Sequence, residues 1–87
     1  MKIKSVNYIT DYTILVTYEN IGEVEVDLYN YLKKSKQPMT KRFLDVKLFK
    51  QFSLINSGGI SWFGEMDLDA EWLYDYALQH QAVANYK

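Results

Sequence analysis

The residues best able to do chemistry cluster in Trp62–Tyr74, WFGEMDLDAEWLY, where Glu65, Asp67, Asp69 and Glu71 alternate with other side chains. Carboxylates at this spacing can supply oxygens to a hard cation such as Ca²⁺, which takes roughly six to eight of them. The stretch lacks the glycine and the closing glutamate of such a loop, so no metal ligand is assigned. A carboxylate pair can also do general acid–base work, but only from facing elements across a sizeable cleft. A small domain rarely encloses one. Position gives these acids structural work instead. Asp69 stands at the start of a helix as its N-cap, Glu71 favours the positive end of that helix, and Asp67 holds the preceding turn. His80 is the only histidine, with no serine or second histidine near it in sequence. It reads as a flank residue late in the last helix. No catalytic, cofactor-binding or metal-binding residue is assigned, and the chain is expected to be no enzyme.

These side chains need a scaffold, and 87 residues allow a single domain spanning 1–87. There is no cysteine, which excludes a disulfide framework, a thiolate metal site and a cysteine nucleophile. Met1–Thr10 has no apolar core of a secretory leader, and no apolar run is long enough to span a bilayer. A cytoplasmic location away from membranes is the resulting expectation.

The N-terminal half reads as strands. Ile3–Tyr8 is the first candidate, with a turn at Asp11 and Tyr12. Thr13–Tyr18 puts Ile14, Val16 and Tyr18 on one face. Asn20-Ile21-Gly22 forms the loop, and Glu23–Leu28 alternates with Val24, Val26 and Leu28 inward. A hairpin across 13–28 follows. Tyr29–Leu32 is a short helical turn, and 33–42 reads as a loop with Gln37 extended before Pro38. Asp45 caps a short helix towards Phe52, with Leu48, Phe49 and Phe52 on one side. Leu54–Ile55 and Ile60–Phe63 flank the Asn56–Gly59 turn as a second hairpin. In the last helix, Leu68 and Leu73 have the spacing of a hydrophobic staple around the Asp69 cap. Leu73, Tyr76, Ala77 and His80 form its buried stripe. Trp62 belongs to the core, and residues 78–87 are expected to fray. The fold class is α+β: an antiparallel sheet from a three-strand meander and a second short hairpin, with a short middle helix and a C-terminal helix.

The pattern Ile14-x-Val16-x-Tyr18, Gly22 and Val26-Asp27-Leu28, followed by Phe49, Trp62 and Asp67-Leu68-Asp69-x-Glu71-x-Leu73-Tyr74, resembles a small bacterial family known as domain of unknown function 2442. The resemblance runs from about Val6 to Tyr74. Two positions depart from the family pattern: Ile21 is inserted in the hairpin turn, and Ala70 stands where the family usually has proline. The resemblance implies a compact α+β domain and no established reaction. It also implies a binding role, since members look like stand-alone proteins or modules fused to helix-turn-helix domains. Some accompany a second small protein in toxin–antitoxin-like pairs.

Two surfaces are candidates for contact. Fourteen aromatic side chains, eight Tyr, four Phe and two Trp, exceed what so small a core can hide. Tyr12, Tyr18, Trp72 and Tyr76 are the candidate partner surface, because tyrosine and tryptophan are favoured at interface hot spots. The charge of −1 is uneven: residues 1–32 carry −3, 33–50 carry +6 and 51–87 carry −4. Lys33, Lys34, Lys36, Lys41 and Arg42 are therefore the candidate polyanion contact. The favoured reading is a non-enzymatic protein-interaction module, the antitoxin-like member of a two-protein pair, with a homodimer through a sheet edge or aromatic patch as a further expectation. Nucleic-acid binding through 33–50 is one alternative, and a carboxylate-dependent hydrolase is the other.

Overall fold

The computed structural model describes the backbone of residues 1–85 and the side chains through His80. Six strands form two three-stranded antiparallel meanders in an α+β arrangement. The first consists of β1 (Ile3–Thr10), β2 (Thr13–Tyr18) and β3 (Gly22–Asp27). The period-two alternation of β2 buries Ile14, Val16 and Tyr18, while Val26 of β3 pairs with Ile14 and faces the same core. Tyr18 pairs with Gly22, so the loop is Glu19–Ile21, one residue earlier than the sequence suggests. Gly22 has φ +98°, a conformation that glycine adopts without a Cβ penalty.

Short helical segments link the two meanders. α1 (Tyr29–Lys34) buries Leu32, and Asp27 Oδ1 accepts from the Tyr29 N–H at its start. The expected loop over 33–42 is in part helical: α2 (Pro38–Lys41) is followed by a 3₁₀ turn at Arg42–Leu44. Pro38 starts α2 because its fixed φ suits the first helical position, and Gln37 before it is extended at φ −96°, ψ 123°. Phe43, which lies amid the basic residues in sequence, is fully buried, and Thr40 is buried beside it. Apolar anchoring thus converts a charged segment into a packed one. Asp45 caps α3 (Val46–Phe49) through the Lys47 N–H at 3.0 Å. That helix stops before Phe52, which opens the next strand.

The second meander consists of β4 (Phe52–Ile55), β5 (Gly59–Trp62) and β6 (Met66–Asp69). Its third strand replaces the turn expected before the last helix. Met66 and Leu68 point inward, and Asp67 and Asp69 point outward. The chain reverses at Phe63, which takes φ +60°, and Gly64 at φ +70°. Phe63 therefore leaves the strand and is exposed, contrary to the expected return strand through it. At Gly59 an added Cβ would stand 2.6 Å from the Leu68 carbonyl oxygen, so the β5–β6 approach admits only glycine.

α4 (Ala70–Asn85) closes the fold. Asp69 Oδ2 accepts from the Glu71 N–H at 3.0 Å and the Trp72 N–H at 3.4 Å, the cap read from the sequence. Leu68, Leu73 and Ala77 lie in the core. His80, the last member of the expected stripe, is exposed. Ala70 has a physical reason to depart from proline: its N–H donates to Gly58 O at 2.8 Å, a bond proline cannot make. Of the stretch 78–87 expected to fray, 78–85 continue the backbone of α4, and 86–87 lie outside the described residues.

Candidate partner-binding face

α1 and α4 meet along a row of half-buried rings. Trp72 and Tyr76 are one helical turn apart on α4, so their side chains share a flank. Their rings stack at 5.0 Å with 13° between planes. Tyr31 of α1 meets the Trp72 ring edge-on at 5.0 Å and the Tyr76 ring at 6.2 Å. One turn further, His80 lies 4.2 Å from the Tyr76 ring. The row opens into a groove of about 360 Å³ lined by Asn30, Tyr31, Lys34, Ser35, Tyr76 and His80. Burial pushes the Tyr76 phenol above its ordinary value, Asp27 adds to the effect, and a backbone hydrogen bond with Tyr31 opposes it. Tyr76 therefore stays neutral across the physiological range and can donate or accept a hydrogen bond. The groove joins flat apolar ring surface to a lysine ammonium and several polar tips. That combination suits a surface with its own aromatic or acidic side chains.

The structure places the other candidates apart from this row. Tyr18 is 2% exposed and its hydroxyl donates to Ala70 O at 2.8 Å. It is a core residue and leaves the list of surface candidates. Its phenol is pushed up to about 12, first by burial and then by Asp69, Asp75 and Tyr74. The sequence put it on one face of β2 with Ile14 and Val16, and counting aromatics could not tell which tyrosines would stay outside. Tyr12 is half-buried elsewhere, 5.5 Å from the Tyr29 ring and 5.6 Å from Phe49, with its hydroxyl donating to Leu44 O.

The basic residues also divide. Lys34 lines the groove, while Lys33 extends over the Tyr29 ring at 5.6 Å. Lys36 is exposed just beyond α1, and Lys41 is exposed at the end of α2. Arg42 forms an ion pair with Glu65 and lies over the rings of Phe43 at 5.0 Å and Phe63 at 5.4 Å. It ties the 3₁₀ turn to the β5–β6 turn. Sequence reasoning missed Tyr31, and it named Lys34 with the basic residues, not with the rings. Only the α1–α4 packing brings both to Tyr76, and no local signal specifies that packing.

The carboxylates do structural work. Glu65 pairs with Arg42, and Asp69 caps α4. Asp67 and Asp69 stand two residues apart on the outer face of one strand, so they do not face each other across a cleft. Among the described residues, no three Asp, Glu or His side chains gather closely enough to hold a metal ion. Nor is any helix there long and apolar enough to cross a membrane.

No curated protein and no solved structure matches the chain. The family model described as "Protein of unknown function (DUF2442)" matches residues 3–79, which takes in both meanders, Asp69 with its cap, and the rings of Tyr31, Trp72 and Tyr76. The chain belongs to that family.

Proposed function

We propose that the protein is a non-enzymatic interaction module whose α1–α4 face binds a second protein, in the manner of the antitoxin-like member of a two-protein pair. The observation that carries this reading is the ring row Tyr31–Trp72–Tyr76 with Lys34 at its border. Half-buried aromatic rings lose little conformational freedom when a partner covers them, which makes them efficient anchors. Lys33, Lys34 and Lys36 steer an acidic partner towards the same face. The test is affinity purification from native cells with the wild type and with Trp72→Ala. A protein that co-purifies with the wild type, binds it after separate purification, and binds the variant at least tenfold more weakly supports the reading. Equal binding by both removes the ring row from the interface.

The same neighbourhood of Lys34 with Tyr31 and Tyr76 favours one second reading, binding of single-stranded nucleic acid by stacking and phosphate contact. Its reach is reduced because Arg42 is engaged with Glu65 and Lys41 lies on another segment. A salt-titrated binding assay separates the two readings. No affinity for DNA or RNA at low salt eliminates the second.

A further inference from the structure

The two meanders offer four strand edges, and three of them are guarded. β1 is irregular at Ile3/Ser5 and at Tyr8/Thr10, has Lys4 exposed, and gives its Ile3 N–H to Ser57 O at 2.8 Å. β3 carries Glu23, Glu25 and Asp27, and α4 packs against it. β6 carries Asp67 and Asp69 and runs directly into α4. Charges, irregular register and covering helices are the usual protections of an edge. β4 has no charge and no irregular register, and among the described residues no helix is one of its main packing partners. Its sequence is Phe-Ser-Leu-Ile, with no charge and no proline, and its register with β5 is regular. Leu54 is 39% exposed and Ile55 40%. Among the described residues, the one backbone hydrogen bond that leaves this strand for anything but β5 is the local turn from Gly58 N to Ile55 O.

We infer that β4 is a self-association edge, pairing antiparallel with the β4 strand of a second copy of this chain to make one continuous six-stranded sheet. Symmetry favours this occupant. A two-fold axis perpendicular to the sheet places the two β4 strands side by side and antiparallel, and it keeps each face on its own side. The apolar face of the second meander, Phe52 and Leu54 on β4, Ile60 and Trp62 on β5, Met66 and Leu68 on β6, then continues into its copy. Leu54 meets Leu54 or Phe52 of the other copy, which covers the apolar surface that the single chain leaves exposed. No charge opposes a like charge in either register, because Phe52–Ile55 carries none. The contact closes at two copies. A head-to-tail pairing of β4 with β6 would grow without end. A four-residue pairing is short, so the dimer is expected to be weak and concentration-dependent.

Sedimentation equilibrium of the full chain over micromolar to millimolar concentration tests the inference, with amide hydrogen exchange recorded across the same range. The expected result is a rise from 10.3 kDa towards twice that mass, together with added protection confined to 52–55. Leu54→Lys should weaken association at least tenfold, with its circular dichroism unchanged because the side chain is half exposed. Trp72→Ala, on α4, should leave association as it is. A wild type that stays monomeric at millimolar concentration overturns the inference. So does growth past two copies, or a dimer that Trp72→Ala abolishes and Leu54→Lys does not. If Leu54→Lys fails to fold, the exchange data on the wild type decide: concentration-dependent protection outside β4, or none, overturns it.

Discussion

The first meander is built from strands of eight, six and six residues, and the second from three strands of four. That difference in length sets how each is specified. In the first, the alternation of Ile14, Val16 and Tyr18 against Val24 and Val26 covers enough residues to fix face and register together. The second is held by a few strong particulars. Trp62 is fully buried, donates its indole N–H to Phe49 O at 2.7 Å, and packs against Phe49 at 5.6 Å and Phe52 at 5.9 Å. Gly59 permits the close β5–β6 approach. A long meander spreads its stability over many alternating positions, whereas a short one concentrates it.

If that contrast holds, the largest effect belongs to Trp62. Trp62→Ala should cost about 3–5 kcal/mol, much of the stability of so small a domain, and denaturant unfolding measures it. A loss comparable to that of a single surface residue would break the contrast. Gly59→Ala should follow at roughly 1–3 kcal/mol, because the new methyl meets backbone that cannot yield. The paired control is Gly22→Ala in the first meander, where a Cβ meets nothing within 4 Å and only the φ of +98° opposes it. That change should cost about 1 kcal/mol.

Tyr18 sharpens the comparison, since it joins the first meander to α4 through Ala70 O. Its folded-state phenol titrates near 12 against an ordinary value of 10.0. The folded state holds the proton more tightly, so the stabilisation is full below pH 10 and is lost as pH rises towards 12. The loss is on the order of 2 kcal/mol. Tyr18→Phe should remove that component of the alkaline decline and cost about 1 kcal/mol at neutral pH. Unfolding free energies from pH 8 to 12 for both proteins check the sign. The smallest effect belongs to Asp69→Ala, about 1 kcal/mol or less, from loss of the α4 cap.

The same contrast explains what was legible in the sequence. The 13–28 hairpin could be read because its period-two pattern repeats over many residues. Asp69 could be read as a cap because its helix follows with a buried Leu73 and Ala77 in step. The β6 strand could not, since Met66–Asp69 has only two inward positions and its carboxylates suggest a turn. The helical turns at 38–44 were hidden by their charge, and buried Phe43 and Thr40 are what hold them. Of the contact face, Trp72 and Tyr76 were legible from residue type, since tyrosine and tryptophan suit an interface. Tyr31 and Lys34 join them only through packing between α1 and α4, elements far apart in sequence, and Tyr18 is excluded from the surface by packing of the same kind.

The contact face and the β4 edge lie on different elements, so they should respond separately. The most direct measurement is amide hydrogen exchange on this protein alone and in complex with a protein it captures, at fixed concentration. Added protection is expected on α1 and along 72–80 in the complex, with 52–55 unchanged. Protection that falls on β4 or on the Asp67–Asp69 face, with α1 and 72–80 exchanging as in the free chain, would contradict it.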